Sequence, residues 1–166
     1  MSLSIIFPAF DEVSKIESDI TDADNFLNEN KLPGEIIVVD DGSKDNTYNI
    51  AAKFKEKTSN NLKVFKHEYN QGKGAAVRIG VINSDFDYIL YSDVGGTVPL
   101  SFAKIGLDYL IDDKAEIVNG SRKLPHSIII EGQDIDRKLF SRIFNKLSKI
   151  YLKIPSHLTD TQCGFK

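Results

Sequence analysis

The chain has 166 residues, 41% hydrophobic and 27% charged, an ordinary globular composition that excludes both a disordered polar chain and an integral membrane protein. Its single cysteine rules out an internal disulfide and a cysteine-built zinc site. The net charge of −3 is unevenly spread: residues 137–166 hold seven Lys or Arg against one acid, +6, which leaves −9 on residues 1–136. No apolar run reaches the ~18 residues of a membrane-spanning helix, and a strand pattern begins almost at once, so neither a transmembrane segment nor a signal peptide is expected. The chain stops at Lys166 without a helix cap or polar tail, and the expectation is of a longer protein.

Taken in chain order, short β-branched runs alternate with stretches of helical period. Residues 3–7 read as a first strand. Val13, Ile16, Ile20, Ala23 and Leu27 then recur at three- and four-residue steps, the signature of a helix with one buried face. Residues 35–39 give a second strand, 46–57 a helix, 62–66 a third strand, 74–83 a helix, 88–92 a fourth strand, 99–111 a helix and 116–119 a fifth strand. Residues 123–136 form the long irregular stretch, a candidate mobile loop. Strand and helix in repeated alternation predict an α/β fold with a mainly parallel sheet covered on both faces.

The polar residues of interest lie just past the expected strands: Asp11 and Glu12, Asp40 and Asp41, Asn70 to Lys73, Asp93, and Ser121 with Arg122. One acid after a strand is ordinarily a turn former or a helix cap. Five such segments converge on the carboxyl edge, where open parallel sheets bind ligands. Asp40-Asp41-Gly42-Ser43 reads either as a turn with an N-cap or as paired acceptors for ribose hydroxyls or a base N–H. The glycine-rich turn from Asn70 to Ala76 brings backbone N–H groups to a helix start, where an anion is favoured. It is no Walker loop, since Lys73 is followed by Gly74, and Val77 stands where a dinucleotide motif has its third glycine. The plain alternative is a tight turn with a solvated Lys73. Asp93 offers one carboxylate for a divalent ion shared with a substrate phosphate, or a turn residue.

His67, His126 and His157 lack metal-ligand spacing and read as surface residues, and Cys163 as a small buried one. Residues 137–154 carry six basic residues and no acid beside a helical apolar stripe. Such a helix either docks on an anionic bilayer or packs on the core with its basic face solvated. Nucleic acid is not an expected partner, because the −9 of the remaining chain repels it.

In this order the segments resemble family 2 inverting glycosyltransferases of the GT-A fold, most closely the dolichyl-phosphate β-glucosyltransferase group of polyprenyl-phosphate glycosyltransferases. The resemblance is carried by SIIFPAFDE from Ser4, EIIVVDDGSKDNT from Glu35, NQGKGAAVRIGV from Asn70, GSR from Gly120 and DTQCGFK from Asp160. It implies a Rossmann-like α/β domain with a nucleotide-sugar-binding core over residues 1–136. Residues 137–166 would be the basic helix and acceptor-side motif of the same domain. Pro8, Asp11, Glu12, Asp40 and Asp41 would line a uridine pocket, with Lys73 and Arg78 toward the diphosphate. Asp93 would be the first acid of a DxD motif holding Mg2+ or Mn2+, but the second acid's place is taken by Gly95. Arg122 would face a donor or lipid phosphate, and Asp160 the acceptor end. The implied activity is inverting transfer of a hexose, glucose being expected, from a UDP-sugar to a polyprenyl (dolichyl) phosphate. The protein would be cytoplasmic and peripheral, at the inner face of a membrane reached through residues 137–154. Gly95 leaves open a nucleotide-sugar-binding homologue without transfer.

Overall fold

A computed structural model describes residues 1–96, 98–121, 124, 151 and 163–166. Among them, strands and helices alternate as β1 (Leu3–Ala9), α1 (Ile16–Glu29), β2 (Gly34–Asp40), α2 (Thr47–Phe54), β3 (Asn61–Lys66), α3 (Lys73–Ile82), β4 (Tyr88–Tyr91) and α4 (Ser101–Ile111). The sheet is parallel in the order β3-β2-β1-β4. The chain therefore steps outward from β1 to β3 and then crosses back to the far side of β1. Right-handed crossovers in opposite directions place α1 and α2 on one face and α3 on the other.

The two faces are legible residue by residue. Ile5 and Phe7 of β1, with Ile36 and Val38 of β2, pack with Ile16, Ile20, Ala23 and Leu27 of α1, Ala51 of α2 and Leu107 of α4. Their neighbours Ile6, Ile37 and Val39 turn the other way, onto Ala76 of α3. Burial on both sides is why these strands are unbroken apolar runs, each large side chain contributing about 1.5–3 kcal/mol. Glu35, also buried, sits at the amino end of β2, away from the edge where the expected site residues gather. Its carboxylate accepts from Ser4 Oγ and Asp85 N–H at 2.7 Å each and pairs with Lys63 Nζ at 2.6 Å, a structural use of an acid.

The expected fifth strand over 116–119 does not form. The backbone groups past β4 are taken by the returning tail, antiparallel to it: Tyr91 N–H donates to Lys166 O at 2.8 Å and Asp93 N–H to Gly164 O at 2.8 Å. Gly120 N–H donates to Phe165 O at 2.9 Å, so the segment before it borders that tail, and Ile117 stays 74% exposed. Pro8 bears on the same region. It has no N–H to extend a ladder, and the β1–β4 register ends at Ile6–Tyr91 with one further bond from Ser92 N–H to Ile6 O. The two strands part there, at the point where the strand order reverses. The loop expected over 123–136, the basic helix expected over 137–154, Arg122 and Asp160 lie outside the described residues, save the exposed Leu124 and Tyr151.

Close approach of α3 to β1 depends on Gly80, where a Cβ would overlap Cγ2 of the fully buried Ile6. Gly80→Ala is expected to lower unfolding free energy by about 1–3 kcal/mol in urea titrations, through overpacking. An unchanged midpoint would contradict this packing.

Candidate functional site

The ends of β1 and β2 are tied together by side chains of one loop bonding the backbone of the other. Asp11, at φ +55°, takes the Lys44 N–H on Oδ1 at 2.8 Å, and its own N–H donates to Ser43 Oγ at 2.9 Å. Glu12 N–H donates to Thr47 Oγ1 at 2.9 Å and Val13 N–H to Asp45 Oδ2 at 3.1 Å. Asp40 is fully buried; its Oδ1 accepts the Ser43 N–H at 2.7 Å, while Oδ2 has no hydrogen-bond partner among the described residues.

Asp41 joins the end of β2 to the glycine-rich turn. Its N–H donates to Ala9 O at 2.8 Å. Its buried Oδ1 accepts from His67 Nδ1 at 2.6 Å and Gln71 N–H at 2.9 Å, and Oδ2 accepts from Gly72 N–H at 2.8 Å. Burial opposes ionisation of this carboxyl, but the bonds from Gln71, His67 and Gly72 outweigh it and hold the pKa below the ordinary carboxylate value. Gly42 (φ +76°) lets the turn approach: a Cβ there would overlap the Tyr69–Asn70 backbone. The turn delivers Gly72 as the N-cap of α3, so that the first N–H groups of the helix have no preceding carbonyls to bond.

At the end of β4, Lys73 Nζ is paired with Asp93 Oδ1. The other oxygen, Oδ2, lies so close to Gly164 that a Cβ on that residue would overlap it. Beyond Asp93 the chain turns through Gly95 (φ +102°) and Gly96 (φ +59°), whose N–H groups donate to Asp19 Oδ2 and Oδ1 at 2.8 and 3.0 Å. Asp19 is buried on α1; burial pushes its pKa up, against the two N–H bonds. Lys15, just ahead of α1, pairs with Glu12 Oε2 at 2.8 Å, and a Cβ at Gly95 would lie 3.1 Å from its Cδ. Among the described residues no three His, Cys, Asp or Glu gather to hold a metal ion. With Asp93 Oδ1 already paired with Lys73 and no side chain at position 95, the described residues leave one carboxylate oxygen at this point and do not fit a divalent ion held by the protein alone.

The edge thus brings together Pro8, Asp11, Glu12, Asp40, Asp41, Lys73 and Asp93. Arg78 is exposed on α3, five residues past Lys73 and so about 7.5 Å farther along the axis, with no ion pair to this cluster. Asp41 itself is spent on its own chain. His67 is no surface residue: its side chain is 10% exposed against Asp41. Asp19 was missing from the expected set, although an acid between Ile16 and Ile20 on the buried stripe is a readable signal. A cavity of about 630 Å³ lined by Asp19, Phe26, Gly96, Leu100 and Lys104 touches none of the expected donor residues.

A four-stranded parallel sheet reversing at β1/β4, with loops stitched at its carboxyl edge, has the switch point at which open α/β sheets bind ligands, and the fold is that of the GT-A glycosyltransferases. Glycosyl transferase family 2 matches residues 4–164, and the chain belongs to that family. Dolichyl-phosphate beta-glucosyltransferase of Dictyostelium discoideum is 33% identical over 174 residues, covering 99% of this chain and 53% of that protein. The Saccharomyces cerevisiae protein of that name is 30% identical over 187 residues, with 99% and 53% covered. The chain spans about half the length of these curated relatives. Among solved structures, glucosyl-3-phosphoglycerate synthase from Mycobacterium tuberculosis with Mn2+, UDP-glucose and phosphoglyceric acid superposes with TM-score 0.51 at 25% identity, over 66% of this chain and 39% of that one. TarS of S. aureus (TM-score 0.55, 22% identity, 79% of this chain and 40% of that one) shares the fold.

Asp41→Asn is expected to cost about 1–3 kcal/mol at neutral pH by leaving N–H groups poorly paired. Because the folded-state pKa lies below the ordinary ~3.9, ionised Asp41 stabilises fully above that value and loses its contribution as pH falls through the lower one. Urea midpoints of parent and variant should therefore converge in acid. Curves that stay equally separated down to about pH 2 would contradict the anchor.

Proposed function

We propose that the carboxyl edge of the sheet binds a UDP-sugar and transfers its hexose, glucose, to a polyprenyl phosphate of the dolichyl type with inversion. The carrying observation is the stitched edge itself, where Asp11, Asp40, Lys73 and Asp93 converge from four loops. The names of the relatives support the acceptor, and the UDP-glucose in a solved member of the fold supports the donor.

In this reading the buried Asp40 Oδ2, without a donor among the described residues, accepts from the base N–H, while Pro8, Asp11 and Glu12 shape the uridine pocket. Lys73, at the head of α3, faces the diphosphate, with Arg78 behind it. The acceptor phosphate is already anionic near neutral pH and attacks the anomeric carbon without strong general-base help. What must be stabilised is the charge growing on the departing UDP, a task for fixed cations near the diphosphate. Arg122 takes part from the end of the fifth segment, and Asp160 orients the sugar or acceptor. Mn2+ accompanies UDP-glucose in the solved glucosyl-3-phosphoglycerate synthase. The Mg2+ or Mn2+ expected on Asp93 would join an acid already paired with Lys73, and no step here is routed through it.

Residues 137–154 would seat the protein on the inner, cytoplasmic face of a membrane as a peripheral protein. They belong to the acceptor side of the domain, after the donor-binding core of residues 1–136. Among the described residues no helix is long and apolar enough to cross a membrane. Gly95 favours one second reading, a homologue that binds the nucleotide sugar without transferring it.

Supplied with UDP-glucose and dolichyl phosphate, the protein should release UDP and form the glycolipid, and GDP-mannose should not replace the donor. Donor binding without turnover would establish the second reading, and no binding would contradict both. Sedimentation with anionic liposomes should retain the protein at low salt and lose it with Lys146→Glu/Lys149→Glu, each basic residue contributing about 1 kcal/mol at such a surface. A protein that ignores the vesicles would make this helix a packing element.

A further inference from the structure

The chemistry around Asp93 differs from a metal-binding carboxylate pair in a way that assigns work to two lysines. Three features coincide. Asp93 is the carboxylate at the end of β4, and an ammonium group already meets its Oδ1. Two residues on, Gly95 has no side chain, and the space a side chain would enter holds the stem of Lys15, with Cδ 3.1 Å and Nζ 3.8 Å from an added Cβ. The loop is also pinned from behind: the N–H groups of Gly95 and Gly96 are both held by Asp19, which fixes Gly95 at φ +102°, beyond the left-handed range near +55° that Asp11 adopts.

We propose that the ammonium groups of Lys15 and Lys73 take the place of a divalent cation beside the donor diphosphate, so that UDP binding by this chain needs no metal. The inference rests on the edge being a UDP-sugar site and goes beyond it by naming the source of positive charge. A nucleotide sugar carries one negative charge on each phosphorus, and two ammonium groups balance them as one divalent ion would.

Both lysines can make the exchange. Lys15 is paired with Glu12 and Lys73 with Asp93, and the lysine side chains remain 53% and 46% exposed. Ion pairs so open to water are weak, so an ammonium group moves from carboxylate to phosphate oxygen at little cost. The bond to Glu12 raises the Lys15 pKa, which keeps the group charged at neutral pH. Much of the nearby acid is spent on backbone: Asp11 holds the Lys44 N–H, Asp41 those of Gln71 and Gly72, and Asp19 those of the glycine pair.

The test is calorimetric titration of UDP into the full chain, in EDTA and again in Mn2+ or Mg2+, with uridine titrated in parallel by NMR chemical shift. The Kd for UDP should differ by less than about twofold between EDTA and either metal. Lys15→Gln and Lys73→Gln should each weaken UDP about tenfold, the size of one charge-assisted hydrogen bond, while uridine affinity is unchanged. Lys15→Arg should retain UDP binding. UDP affinity that rises tenfold or more with Mn2+ or Mg2+ and is lost in EDTA would overturn the inference while leaving the donor site standing. Lys15→Gln with parental UDP affinity, or with an equal loss for uridine, would overturn it too. UDP binding under no condition would instead remove the donor reading on which the inference stands.

Discussion

One buried carboxylate decides where the loops of this edge lie. Asp41 is linked through its own N–H to the end of β1, through His67 to the end of β3 and through Gln71 and Gly72 to the start of α3. Four elements meet at one residue, and a carboxylate suits that position because it accepts without donating, with lone pairs for several N–H groups at once. Its depressed pKa expresses the same fact: the bonds made to the charged form exceed the cost of burying it. Gly42 is needed beside it because the Tyr69–Asn70 backbone leaves no room for a Cβ. The Asp41 carboxylate thus holds, through bonds to its own chain, the turn that leads into Lys73.

Asp19 repeats the device for the loop after β4. Bonds of 2.8 and 3.0 Å to the two glycine N–H groups set the path of the chain beyond Asp93. With both anchors in place, several acids of a chain segment that totals −9 are consumed internally. The groups left facing solvent include Lys15, Lys73 and the half-buried Asp93 and Glu12. The proposed anionic donor is compatible with so acidic a segment because the nearby Asp11, Asp41 and Asp19 are bonded to backbone N–H groups, while the ammonium groups of Lys15 and Lys73 stay open to solvent.

The sheet was readable from the sequence because both of its faces are covered, which writes β1 and β2 as continuous apolar runs and α1 as Ile16, Ile20, Ala23 and Leu27 at helical steps. The run at 116–119 has similar composition but no strand, since the tail at 164–166 had taken the backbone groups beyond β4. Composition carries no information about which distant segment reaches an edge first. The same limit hid the Asp41–His67 pair: the two residues become neighbours through the register Asp40–Lys66, and no spacing in the sequence encodes it. Asp19 was accessible, being an acid on a buried helical stripe, and Gly95 was visible as a missing acid, while its φ of +102° emerges only in the fold.

The central claim is that a uridine nucleotide occupies the carboxyl edge between the loops that Asp41 and Asp19 hold. Backbone amide chemical shifts of the chain, recorded as UDP is added, test it most directly. The account predicts perturbations concentrated at residues 10–13, 41–44, 71–74 and 93–96. Perturbations confined to the cavity beside Phe26 and Leu100, or to the Glu35–Lys63 end of the sheet, would contradict it.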